Sequence, residues 1–107
     1  MKRYISNYTI LNNGEQAINH ITTVGDDGRF ISVIPFDREL GNTVYVPQPL
    51  CVAIKNDIPL IEDTFHRCAS RQQLTQQLQA LKLSKPQQGD DVAVLRLDFA
   101  HNIINPI

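Results

Sequence analysis

The spacing of apolar positions divides the chain into two regimes. Over residues 4–36, apolar and polar residues alternate in short runs separated by turn residues, the period-two signature of strands. Residues 4–11 are rich in β-branched and aromatic side chains and predict a first strand. Asn12-Asn13-Gly14-Glu15 tolerates the left-handed conformations of a tight turn, so a hairpin is expected there. Residues 17–24 are the return strand, with Ile18, Thr22 and Val24 on one face and Ala17, Ile21 and Thr23 on the other. Gly25-Asp26-Asp27-Gly28 makes the next turn, and residues 30–36 a third strand. Alternation puts Phe30, Ile34 and Phe36 on one of its faces and Ile31 and Val33 on the other.

The period changes after residue 54, and the stretch between Phe36 and Ala53 separates the strands upstream from the helices downstream. Asp37-Arg38-Glu39 interrupts the alternation, Gly41-Asn42 turns the chain, and residues 43–46 form a short strand. Pro47 and Pro49 cannot donate to a ladder, so this strand lies at an edge or ends there. Residues 50–54 resume an apolar run that enters the core. Asp57 then reads as an N-cap with Pro59 in the first turn, and Leu60, Ile61, Thr64, Phe65 and Cys68 repeat along one helical face. Ser70 followed by Gln73 has the spacing of a capping box, and Leu74, Leu78 and Leu81 form the buried stripe of a second helix. Strong alternation over residues 92–99 and a last apolar run at 103–107 return the chain to strands. The order predicts one α+β domain: a mostly antiparallel sheet or small β-sandwich, with two short helices between the N-terminal and C-terminal strands. Its economical closure sets the C-terminal strand beside the first hairpin.

Composition narrows the function classes. A chain of 107 residues with 42% hydrophobic and 20% charged residues belongs to the globular class and fits one core. Ten basic residues face eleven acidic ones, and Lys2-Arg3 is the longest basic run. That balance argues against nucleic acid, whose binders use a basic face to neutralise phosphate. No apolar run has the length of a signal peptide or membrane span, and Cys51 and Cys68 lack metal-ligand spacing. A cytoplasmic location with reduced thiols is the expectation.

Candidate chemistry is sparse. His20, His66 and His101 are not spaced as metal ligands. Cys51 lies between Leu50 and Val52, and Cys68 falls on an apolar helix face, where burial suppresses thiolate formation. No cofactor is called for, since the spaced glycines that cradle phosphate ahead of a helix are missing from the sequence. Asp37, Arg38, Glu39 and Tyr45, with one histidine, are the residues that could orient a small molecule, because arginine offers a rigid fork to carboxylates.

Several segments resemble the small β-domain that opens many amidohydrolases. They are residues 5–10, Val24-Gly25-Asp26-Asp27-Gly28-Arg29-Phe30-Ile31, Val44-Tyr45-Val46-Pro47, and Gly89-Asp90-Asp91-Val92-Ala93-Val94-Leu95-Arg96-Leu97-Asp98. In that family the segment after Val-Pro ends in the His-x-His that binds the catalytic metal. Here Gln48-Pro49-Leu50-Cys51-Val52-Ala53-Ile54-Lys55 stands there without a histidine, and two short helices stand where the barrel would be. The resemblance therefore implies a β-domain without its catalytic part.

The leading expectation is a non-enzymatic domain that works by protein contact as a homo-oligomer. Tyr45, Val46 and Pro47 on one edge, and Ile103 and Ile104 on the terminal strand, are its interface residues, since an unpaired edge is a template for another chain. The alternative is the small-molecule site around Asp37, Arg38, Glu39 and Tyr45.

Overall fold

A computed structural model describes residues 1–38 and 41–107. Alternation and turn chemistry produce the expected meander. β1 (Lys2–Leu11) and β2 (Gln16–Val24) pair antiparallel across a turn in which the Leu11 N–H donates to Glu15 O at 2.8 Å and Gly14 sits at φ 89°. β3 (Phe30–Pro35) returns antiparallel beside β2 after a second turn closed by Gly28 at φ 81°. β4 (Thr43–Tyr45) and β5 (Leu50–Ile54) both run parallel to β1, the first along Arg3–Ile5 and the second along Thr9–Leu11. They share one lane of the sheet, interrupted where Pro47 and Pro49 cannot donate. The Val46 N–H bonds Ile5 O, and the Ser6 hydroxyl donates to Gln48 O at 2.8 Å, so β1 holds the interruption in place.

After a 3-10 turn at Lys55–Asp57 come α1 (Ile58–His66) and α2 (Arg71–Ala80), then β6 (Val92–Asp98) and β7 (Ile103–Pro106). The result is one seven-stranded mixed sheet in the order β3-β2-β1-β5-β6-β7, with β4 beside β1. Among the described residues four strand pairings are antiparallel and two parallel. The C-terminal strands do not close beside the first hairpin: β5 lies between β1 and β6.

The helices form where their sequence signals place them, with changes at the caps and at the ends of their apolar stripes. At α2, Ser70 accepts from the Gln73 N–H, while the Gln73 carbonyl oxygen accepts from the Ala69 N–H rather than from the cap residue itself. Leu74 and Leu78 are buried, but the helix ends at Ala80 and leaves Leu81 exposed. At α1, Asp57 makes no side-chain cap. Its carboxylate instead accepts from the Asn12 side-chain amide at 2.9 Å. Ile61, Thr64 and Phe65 face inward and Leu60 faces out.

Both faces of the sheet carry apolar cores. The outer face of β5 and β6 packs Cys51, Leu95 and Leu97 under Ile61, Phe65, Leu74 and Leu78 of the helices. The inner face gathers Leu11, Val24, Phe30, Leu50, Val52, Val92 and Val94. The sheet curls around this second cluster far enough for the start of β3 to reach the entry of β6. The Phe30 N–H bonds Asp90 O, the Gly89 N–H bonds Phe30 O, and Arg29 bridges Asp91. It does not close into a barrel.

Two irregularities reassign faces that strict alternation would fix. The β2–β3 register slips between Thr23 and Val24, so Ile31 is the extra residue of a bulge. Phe30 and Val33, rather than Phe30 and Ile34, therefore share the inner cluster, while Ile34 and Phe36 turn outward. In β1 and β2, Asn7 and Asn19 are left out of the ladder, and Asn19 adopts φ 56°. The pleat changes step there: Tyr4 packs with the inner cluster, and Ile10, of the same parity, with the outer one.

Candidate functional site

The helices cover the outer face over the C-terminal half of β1 and over β5, β6 and the start of β7. Beyond the Asn7–Asn19 step no helix among the described residues covers the same face. Register carries one apolar row across four strands there: Ile34 opposite Ile21, Ile21 opposite Ile5, and Ile5 beside Tyr45. Ile21 is buried, but Ile34 and Phe36 are each 45% exposed and Tyr45 is 56% exposed. The row has a shallow depression at either end. One, of about 170 Å³, is lined by Ile21, Ile34, Pro35, Asp37 and Arg38. The other, of about 250 Å³, is lined by Ile5, Phe36, Thr43 and Tyr45.

The residues singled out from sequence therefore meet on one surface, with different roles. Asp37 and Arg38 rim one end of the row and Tyr45 the other, and no histidine lines either depression. Glu39 lies outside the described residues. Val46, expected at an interface, is 2% exposed because its side chain turns into the inner cluster, so it cannot meet a partner. Pro47 is exposed. On β7, Ile103 is exposed, while Ile104 is partly buried against the helix-side core.

The inner face offers a different site, which alternation alone did not reveal. Where the curl is open, between β2–β3 and the loop that follows α2, a cavity of about 390 Å³ is floored by Leu11, Phe30 and Val33 and edged by Glu15, His20 and Lys85. Lys85 Nζ lies 2.9 Å from Glu15 Oε2 across its mouth, with both side chains about half exposed. His20 Nδ1 is 2.8 Å from Ile18 O. A carbonyl oxygen can only accept, so this nitrogen carries the proton, and Nε2 of the neutral ring is an acceptor. Two threonines on the same face, Thr9 opposite Ala17 and Thr22 opposite Val33, bury hydroxyls that find no partner among the described residues.

The other polar groups are dispersed. His66 Nδ1 lies 3.1 Å from the Asn102 side-chain oxygen, and its ring meets Phe65 edge-on. His101 Nδ1 lies 2.8 Å from Asp98 Oδ2, and this hydrogen bond holds the Asp98 carboxyl below its ordinary range. Among the described residues no group of three His, Cys, Asp or Glu side chains converges as metal ligands do. No helix among them is long and apolar enough to cross a membrane.

Both cysteines are free and buried, and burial pushes the Cys51 thiol up to about 12. The Cys68 thiol is raised for the same reason, with Arg67 partly opposing the shift. Since the thiolate is the reactive form, iodoacetamide at about pH 8 is expected to leave Cys51 unmodified until the chain unfolds. Mass spectrometry of labelled peptides, with and without denaturant, checks this. Labelling of Cys51 in the folded protein at the rate of a free thiol would contradict its placement.

Comparison with known proteins leaves the geometry to speak for itself: no family model, no curated protein and no solved structure matches this chain.

Proposed function

We propose that this domain works by protein contact rather than by catalysis, and that its partner is a second copy of the chain seated on the outer face of β3, β2, β1 and β4 that the helices leave uncovered. The observation that carries this reading is the registered row Ile34–Ile21–Ile5–Tyr45, continued by Phe36 and left uncovered by the helices. Ile34, Phe36 and Tyr45 expose apolar surface along this row, and grouped apolar surface marks interaction sites where scattered single residues do not. A two-fold contact uses the same patch on both copies. The ends of this row suit that symmetry. Asp37 and Arg38 rim the β3 end, and Arg3, beside Thr43 in register, stands at the β4 end. Buried, free Cys51 and Cys68 suit a reducing, cytoplasmic setting. In this reading any likeness to amidohydrolase β-domains concerns a scaffold alone, since β5, the stretch after Val46-Pro47, is a buried strand without histidine.

Sedimentation velocity over about 1–100 µM tests the proposal. Self-association of the unaltered chain is expected, weakened at least ~30-fold by Ile34→Lys or Tyr45→Lys, a loss typical of an interface anchor. Both positions are exposed, so the variants should fold, which circular dichroism checks. A monomer at every concentration would reject the reading. Equal weakening by Ile103→Lys, and none by the other two, would move the contact to the edge of β7.

A further inference from the structure

We infer that the cavity on the inner face binds a small zwitterion with an apolar side chain, the chemistry of a free α-amino acid such as leucine or phenylalanine. The proposal is independent of the outer-face contact, because the two sites lie on opposite faces of the sheet. Ligand sites favour the mouths of curled sheets, where an apolar floor meets a few polar groups, and they span about 300–1,000 Å³. This cavity, of about 390 Å³, lies at the small end of that range. Its floor of Leu11, Phe30 and Val33 is continuous with the inner core, so an apolar side chain entering it would extend that core.

The rim decides the rest of the ligand. It carries one charge of each sign, Glu15 and Lys85, and an imidazole whose Nδ1 proton is committed to Ile18 O. Glu15 and the His20 Nε2 lone pair are acceptors suited to an ammonium group, while Lys85 is a donor suited to a carboxylate. Without a ligand the two charges satisfy each other across the mouth. A half-exposed pair of this kind is worth little, so opening it to admit a second pair of charges is inexpensive. A ligand with a single charge would satisfy one rim group and leave the other unmatched. A zwitterion matches both.

The test uses the full chain, with L-phenylalanine as probe and two truncated analogues: phenylacetate, which lacks the ammonium, and phenethylamine, which lacks the carboxylate. Binding is followed by amide chemical shifts and calorimetry. L-Phenylalanine is expected to give saturable shifts at Ala17, His20 and Ser32, with a Kd on the order of 1 mM or below and at least ~10-fold tighter than either analogue. Glu15→Gln should weaken phenylalanine and phenethylamine and spare phenylacetate. Lys85→Gln should weaken phenylalanine and phenylacetate and spare phenethylamine. Both side chains are about half exposed, so neither change threatens folding. Absence of saturable shifts, equal affinity for an analogue of single charge, or indifference to both substitutions would overturn the inference. Shifts confined to Ile5, Ile34 and Tyr45 would do so as well, since they would report the outer face instead.

Discussion

Asn12→Ala is expected to cost on the order of 4 kcal/mol of folding stability, a large share of what a domain of this size possesses. Asn12 sits in the β1–β2 turn and is fully buried. Its side-chain oxygen accepts from the Ile54 N–H at 2.9 Å, and its amide donates to Asp57 Oδ2 at 2.9 Å and to Ser84 O at 3.0 Å. One side chain thus joins the first hairpin to the end of β5, the start of α1 and the loop after α2. Alanine removes all three bonds and leaves their partners facing a void. A lost neutral hydrogen bond costs about 1 kcal/mol and a bond to a charged group about 1.5–3 kcal/mol, with more where the abandoned partner stays dry. Asp57→Asn is the control. It keeps an acceptor for Asn12 and loses only the charge, so a cost of about 1 kcal/mol is expected. Urea unfolding at unchanged m-value measures both. A loss below about 1 kcal/mol for Asn12→Ala would mean that water replaces the side chain without penalty, and the proposed tie would fail.

The same residue marks the boundary of what the sequence made legible. Strands and turns could be read because they depend on neighbours in sequence: alternation over residues 92–99, the Ser70–Gln73 cap, the two prolines that end β4. Asn12 was read correctly as a turn residue, yet its burial depends on partners 42, 45 and 72 positions away. Nothing local announces them. Face assignments failed for a related reason. A single extra residue at Ile31, or one left-handed residue at Asn19, inverts the parity of all that follows, and neither carries a strong sequence signal. Asparagine tolerates positive φ, so Asn19 held a hint that its position inside a strand concealed. The bulge also governed the candidate site, because it set Ile34 outward in line with Ile21, Ile5 and Tyr45. Val46 turns inward simply as the neighbour of outward Tyr45. Asp37, Arg38 and Tyr45 could be proposed from sequence as polar and aromatic residues near a break. That they rim a single apolar row required strand order. The inner cavity required the curl, and its Glu15–Lys85 pair joins residues 70 apart, the difference between their positions.

The second large effect is expected two residues further along the same turn, where Gly14→Ala should cost about 3 kcal/mol. Two separate penalties act there. Gly14 holds φ 89°, a conformation that side-chain-bearing residues occupy at a cost of about 1–2 kcal/mol. It also lies against α2, where an added Cβ would fall 2.7 Å from the Gln79 backbone nitrogen and 2.8 Å from Thr75 O. Those atoms belong to a hydrogen-bonded helix and cannot rotate away as a flexible side chain could, so α2 must shift as a body. The shift would stretch the bond from Gln79 Nε2 to Gly14 O, now 3.1 Å, and disturb Leu74 and Leu78 beneath the helix. Gly89 separates the two penalties, because it has nearly the same backbone, φ 92°, with nothing within 4 Å of an added Cβ. Gly89→Ala should therefore show the conformational cost alone, about 1–2 kcal/mol. The excess for Gly14, again about 1–2 kcal/mol, measures how closely the helix is pressed onto the hairpin. Equal costs at the two glycines, measured by denaturant unfolding, would mean that α2 yields freely and that the contact with the turn does not fix its position.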